Sequence, residues 1–117
     1  MTPVIWHNPR CAKSRETLAL LRQHGVEPEV REYLTDPPGE DEIASIVEKL
    51  ALASARDLMR TKEAQYTEQG LADVDDESAL IRAMAETPKL IERPVVLMGE
   101  RAALGRPPEA VLEIFPA

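Results

Sequence analysis

The sequence predicts an α/β protein, a mixed sheet flanked by helices with a helical segment inserted in the middle of the chain. Three observations predict it. Near the N-terminus a short apolar run, an amphipathic stretch and an alternating run follow one another as β-α-β. The middle of the chain repeats apolar residues at helical spacing. Towards the C-terminus two apolar runs joined at Gly99-Glu100 precede a last helical stretch, giving β-β-α.

Val4-Ile5-Trp6 has the composition of a short buried strand, and Asn8-Pro9 breaks it. Ala12 to His24 carries Leu18 and Leu21 on one helical face and stops at Gly25, where a left-handed cap is wanted. Pro28 to Leu34 alternates as a half-buried strand does, and Asp36-Pro37-Pro38-Gly39 punctuates it. Ile43, Ile46, Val47 and Leu50 fall at i, i+3, i+4 and i+7, the strongest helical pattern in the chain. Ser54 with Asp57 resembles a capping pair opening a short helix through Arg60. After a polar stretch, Asp76 is placed to cap a helix with Leu80, Ile81 and Met84 inward, ending before Thr87-Pro88. Val95 to Met98 and Ala102 to Leu104 form a hairpin pattern, and a final helix carries Val111, Ile114 and Phe115 on one side. With no repeat and no low-complexity linker, 117 residues read as one domain, 1–117, with its helical insertion at about 39–90.

Apolar residues at 44% suffice for a core, and charged residues at 30% suit a soluble surface. No run approaches the ~18 apolar residues of a membrane span. The first residues lack a signal peptide's basic and apolar regions, so a cytoplasmic location is expected, with no membrane partner. A net charge of −7 and 3% aromatic residues argue against a nucleic-acid partner. The single cysteine, Cys11, excludes a disulfide within the chain and suits a reducing compartment.

Cys11 falls between a strand and a helix, at the helix N-terminus. The first amides of a helix lack intrahelical partners and the dipole there favours negative charge. Both effects stabilise a thiolate and lower a cysteine pKa below its free value of about 8.5. Arg10, Lys13 and Arg15 add positive charge, and no acid intervenes before Glu16. The same groups suit an anionic substrate. By base rate a lone cysteine is a small buried residue, but a cationic helix start after an Asn-Pro turn reverses that weighting. His7 is a candidate proton donor from the strand end, with packing as its plain alternative; His24, near a helix end, reads as structural. The residue three before Cys11 is Asn8, so there is no Cys-x-x-Cys pair and any second thiol must come from another molecule.

His7-Asn8-Pro9-Arg10-Cys11-Ala12-Lys13-Ser14-Arg15 resembles the active-site loop of the glutaredoxin-coupled arsenate reductase family of the thioredoxin-like superfamily, His-Asn-Pro-x-Cys-x-x-Ser-Arg. The likeness continues through Tyr33-Leu34 with Pro37-Pro38, Arg56 to Arg60, Glu92 to Val96, and Gly105-Arg106-Pro107, in the family's order. The resemblance implies a thioredoxin/glutaredoxin-like sheet. It implies Cys11 as nucleophile, His7 as the histidine that helps ionise it, and Arg60, Arg93 and Arg106 as oxyanion-binding arginines. Asn8, Ser14, Arg15 and Pro94 take supporting places, and Arg93-Pro94 matches the loop in which the superfamily carries a cis proline. The implied reaction is attack of the Cys11 thiolate on arsenate or a similar oxyanion. Glutathione as co-substrate and glutaredoxin then complete reduction to arsenite; no bound cofactor and no metal is implied. Planar, permanently charged, bidentate guanidinium groups suit a tetrahedral oxyanion. Each arginine also has a bland alternative, Arg60 as a favourable helix-end cation and Arg93 and Arg106 as solvated loop charges. Two other functions compete: a glutathione-dependent thiol reductase without arsenate activity, and the family's RNA polymerase-binding regulatory branch. The latter commonly carries a Cys-x-x-Cys switch, where this chain has Asn8.

Overall fold

The computed structural model describes residues 2–115, which divide into two compact units. The first unit joins the two ends of the chain, up to Asp36 and from Arg93; the second is Pro37–Glu92. No helix among the described residues is long and apolar enough to cross a membrane.

The first unit holds β1 (Val4–Trp6), α1 (Ala12–Gln23), β2 (Glu29–Arg31), β3 (Val95–Met98), β4 (Arg101–Leu104) and a 3-10 helix, Pro108–Ile114. The strands form one mixed sheet in the order β2-β1-β3-β4. β1 runs parallel to β2, with Ile5 opposite Val30, and antiparallel to β3, with Ile5 opposite Val96. β3 and β4 close the expected hairpin, in which Gly99 takes a φ of 62°, a region that costs glycine no Cβ clash. Register partners share a face, so Ile5 and Val96 point to the same side. There they join Leu21 of α1 and Val111 and Ile114 of the 3-10 helix in a buried cluster. Each such aliphatic side chain contributes about 1.5–3 kcal/mol when fully buried.

Two expectations for this unit need correction. The second strand, expected over Pro28 to Leu34, stops at Arg31. Its one partner, β1, ends at Trp6, and beyond it Thr35 and Asp36 both donate back to the carbonyl of Glu32, at 3.0 and 2.9 Å, closing a turn. The last helix is 3-10 rather than α. Ala110 donates to Pro107 and Phe115 to Leu112, and the buried Pro108, Val111 and Ile114 recur every third residue, the period of that helix.

The second unit is built on α2 (Glu40–Lys49) and α4 (Glu77–Glu86), which pack together, with Ile43 and Ile46 of the first and Leu80 and Met84 of the second buried. Acidic residues fill the first turn of α2 and Lys49 its last, in the sense that favours the helix dipole. Asp76 caps α4 as expected, accepting from the Ser78 amide at 3.2 Å. The helix expected from Ser54 to Arg60 is a 3-10 turn, Ala55–Leu58. It ends because the chain pairs instead: Met59 bridges Ile91, Glu92 donates to Leu58 at 2.7 Å and Arg60 donates to Leu90 at 2.8 Å. Nor is Asp57 the capping partner. Ser54 accepts from the Arg56 amide, and Glu77 takes the Ser54 hydroxyl at 2.7 Å and the Ala55 amide at 2.6 Å. Those two bonds hold the Glu77 carboxyl below its usual range, the amide of Ala55 contributing most.

The polar stretch that follows is also structured, with α3 (Ala64–Glu68) and a 3-10 turn, Leu71–Asp73. Tyr66 and Leu71 are buried there. Arg56 organises this stretch. Its guanidinium donates to the Tyr66 hydroxyl, to the Leu71 carbonyl at 2.9 Å and to the Val74 carbonyl.

Candidate active site

The sheet register places four segments at one end of the first unit. Trp6, the last residue of β1, lies opposite Arg31 and Val95, and Val95 lies opposite Leu104. The loop His7 to Cys11, the turn after Arg31, Arg93-Pro94 before β3 and Gly105-Arg106 after β4 therefore leave the sheet at the same edge. Five residues predicted from separate parts of the sequence meet at that edge: His7, Cys11, Arg93, Pro94 and Arg106.

Cys11 is the N-cap of α1, with extended backbone and no side-chain cap hydrogen bond, and it is half-buried. Its own amide is held by the Asn8 carbonyl at 3.0 Å, while its carbonyl receives the Arg15 amide at 3.0 Å and starts the helix. The thiol thus sits beside the first-turn amides, which the helix itself leaves unbonded.

The loop before Cys11 is fixed by side chains. Asn8 Oδ1 accepts from the Arg10 amide at 3.0 Å, a local turn that asparagine favours. Ser14, fully buried on the first turn of α1, accepts from the Asn8 amide at 3.0 Å and lies 2.6 Å from His7 Nδ1. The Ser14 hydroxyl thus bonds the Asn8 amide and the His7 ring at once, fixing the imidazole through Nδ1. Burial pushes the His7 pKa down; Glu32 opposes this, and Arg22 and Arg15 reinforce it. His7 is therefore a neutral imidazole that ties the end of β1 to the start of α1. Beside this loop, His7, Pro9, Arg10, Glu32, Leu34 and Thr35 line a cavity of about 280 Å³.

The local cations differ in what they hold. Arg15 Nη1 donates to the Pro9 carbonyl at 3.0 Å, fastening the loop, and Lys13 pairs with Glu16 at 3.3 Å on the surface. On the other side of the site, Arg93-Pro94 and Arg106-Pro107 are both cis. Arg106 Nε donates to the Arg93 carbonyl at 3.0 Å, so the two arginine-bearing loops are bonded to each other. Gly105 donates to the Pro94 carbonyl at 2.9 Å. Arg60 belongs to the second unit, where its guanidinium pairs with Glu63.

The family model for the ArsC family matches residues 6–114. The chain belongs to the ArsC family. It is 54% identical over 111 residues to Uncharacterized protein YfgD of Escherichia coli K12, covering 94% of this chain and 93% of that one. It is 45% identical over 116 residues to an arsenate reductase of Haemophilus influenzae, covering 98% of this chain and all of that one. Among solved structures, an arsenate reductase from Vibrio cholerae superposes with a TM-score of 0.95 at 50% identity, covering 98% of each chain. The α/β, thioredoxin-like fold read from the sequence is the fold of these ArsC relatives.

Two further residues support this end of the sheet. At Gly105 a Cβ would meet Thr17 Oγ1 at 2.5 Å and Pro94 Cγ at 2.7 Å. Glu32 faces the buried imidazole electrostatically from the turn after β2. A glycine beside an arginine-proline pair was the available signal for the first; the second depends on tertiary pairing that no local pattern carries.

Proposed function

We propose that this protein is a cytoplasmic arsenate reductase in which Cys11 is the nucleophile and glutathione with glutaredoxin supplies the reducing equivalents. The observation that carries the reading is the placement of the single cysteine as N-cap of α1, at the sheet edge shared with the Arg93 and Arg106 loops. A helix start favours the thiolate over the thiol. The thiolate sulfur bonds to arsenic and one arsenate oxygen leaves as water. One glutathione thiol adds to the arsenic with loss of a second water, and a glutaredoxin thiolate attacks that glutathione sulfur. The two electrons of the As–S bond stay on arsenic, taking it from (V) to (III), and a glutaredoxin–glutathione mixed disulfide leaves. Water then cleaves the Cys11 sulfur–arsenic bond, releasing arsenite and the thiolate, and further glutathione reduces the mixed disulfide. The chain's lack of a second cysteine makes that external pair necessary.

The roles of the other residues follow from their bonds. Guanidinium groups of Arg93 and Arg106 neutralise the oxyanion that would otherwise repel the thiolate, and Arg60, in the second unit, is the third oxyanion-binding arginine that the family resemblance implies. His7, Asn8, Ser14 and Arg15 hold the loop that aims the sulfur; His7, neutral, orients rather than supplies the charge. Pro94 forms the wall next to Gly105.

The decisive experiment follows arsenite formation with glutathione and glutaredoxin, together with alkylation of Cys11 with and without inorganic phosphate. Wild-type protein should form arsenite, and phosphate should protect the thiol. Cys11→Ser should lose turnover and keep its fold, since serine is a better N-cap than cysteine and its hydroxyl stays protonated at neutral pH. Arsenite formation by that variant, or alkylation indifferent to phosphate, overturns the reading. Reduction of glutathione mixed disulfides with no arsenite formed would select the thiol reductase instead.

A further inference from the structure

We infer that Glu63 is a built-in carboxylate that occupies the oxyanion seat at Arg60, so that an incoming anion binds by displacing it, and that this competition sets which anions the seat accepts. The inference rests on the oxyanion-binding role of Arg60 proposed above and adds the residue that opposes it.

The geometry lies wholly within the second unit. Arg60 is held by its backbone, donating to Leu90 at 2.8 Å, in the short pairing that also bridges Met59 to Ile91. Lys89 precedes Leu90 in the 3-10 turn Pro88–Leu90, so the pairing sets a second cation beside the first. The chain then turns back on itself. Glu63 donates its amide to the Arg60 carbonyl at 3.1 Å, and its carboxylate returns to the guanidinium of Arg60 through Oε1. The other carboxylate oxygen, Oε2, lies 3.7 Å from Lys89 Nζ. Two cations thus converge on one carboxylate whose side chain is only 16% exposed, beside a guanidinium that is 27% exposed.

A carboxylate gripped between guanidinium and ammonium has the chemistry of a small oxyanion gripped by the same groups. Being covalently tethered, Glu63 is always present, and an external anion meets a seat already filled. Its apparent affinity is lowered by the fraction of time the seat is closed. The competition discriminates by charge. A carboxylate ligand offers Arg60 and Lys89 nothing that Glu63 does not, whereas a tetrahedral dianion brings more charge and more acceptor oxygens to the same donors. The class selected is therefore the tetrahedral dianion, arsenate or phosphate, over monocarboxylates.

The test is calorimetric titration of the folded protein with inorganic phosphate and with acetate, alongside arsenate kinetics. In Glu63→Gln, which keeps the side-chain shape and removes the charge, phosphate should bind about tenfold more tightly, and acetate should gain at least as much. The KM for arsenate should fall by a similar factor with kcat within about twofold of wild type. Glu63→Ala should show the same direction, so the result does not depend on one variant folding. The gain must disappear when Arg60→Ala is combined with Glu63→Gln. Unchanged phosphate affinity, or a gain that survives loss of Arg60, overturns the inference. Absence of arsenate turnover in wild type would instead sink the proposed activity, because the phosphate titration needs no chemistry.

Discussion

Replacing Gly105 by alanine tests whether the Pro94 loop is as tightly seated as the site requires. A Cβ at this position would lie 2.5 Å from Thr17 Oγ1, 2.7 Å from Pro94 Cγ and 3.1 Å from Pro94 Cδ. None of these neighbours can swing aside. Thr17 is fully buried on α1 and donates to the Lys13 carbonyl at 2.7 Å, and Pro94 is a ring whose carbonyl receives the Gly105 amide at 2.9 Å. Overpacking of a rigid site costs about 1–3 kcal/mol, and two contacts this short place the change at about 3 kcal/mol. The loss of unfolded-chain freedom on going from glycine to alanine offsets about 0.4–1 kcal/mol of it. A net destabilisation of about 2 kcal/mol is expected, and at about 4 °C per kcal/mol for a chain of this size the Tm should fall by about 8 °C.

Urea and thermal unfolding of four proteins decide the matter: wild type, Gly105→Ala, Thr17→Ala and the double variant. Thr17→Ala alone should cost about 1 kcal/mol for the buried hydroxyl's lost hydrogen bond. In the double variant the shortest contact is gone, so the two effects should fall short of additive by about 1 kcal/mol. A Gly105→Ala protein within about 0.5 kcal/mol of wild type, or strictly additive effects, would refute the close approach of α1 to the Pro94 loop.

Other predictions follow from the buried polar groups. Because His7 has its pKa lowered from 6.5 by burial, the unfolded chain takes up a proton first as pH falls. His7 should therefore lower stability progressively from pH 6.5 down through its folded pKa, with no contribution above that window; unfolding of His7→Gln followed against pH should lack this decline, and parallel profiles for the two proteins would contradict it. Arg56→Met should cost about 2–4 kcal/mol, since it strands the Leu71 and Val74 carbonyls and the Tyr66 hydroxyl; hydrogen exchange should quicken first in residues 64–74, and unchanged protection there would show that the guanidinium holds nothing.

How legible all this was depended on how locally each feature is encoded. β1, α1, α2, α4 and the hairpin are each specified within their own residues, by apolar period, a cap or a turn glycine, and each stands close to where the sequence puts it. The features misread are those that a partner decides. Capping spacing points Ser54 to Asp57, three residues on, but the carboxylate that serves it, Glu77, is 23 residues away. The strand through Leu34 and the helix through Arg60 were drawn too long because their ends are set by where β1 stops and by the Met59–Ile91 bridge. The polar stretch before Asp76 carries no element in the sequence reading, because its order is supplied from outside by Arg56.

The same distinction governs the arginines, and it bears on how an anion site is read from sequence. Charge and position made several of them equal candidates, but hydrogen-bond partners separate them. Arg15 holds the Pro9 carbonyl and Arg56 three acceptors of its own unit, so both are fasteners of backbone whatever their charge. Arg60 differs from these two, because its partner is a carboxylate, an acceptor that an oxyanion can replace with like chemistry. A cation that grips carbonyls is already spent on the fold, whereas a cation that grips a tethered carboxylate is held ready at the cost of competition. Arg60 could be suspected from sequence, whereas Glu63 and Lys89 stand out only once the chain turns back at Arg60–Glu63 and Arg60 pairs with Leu90, which brings both to one place.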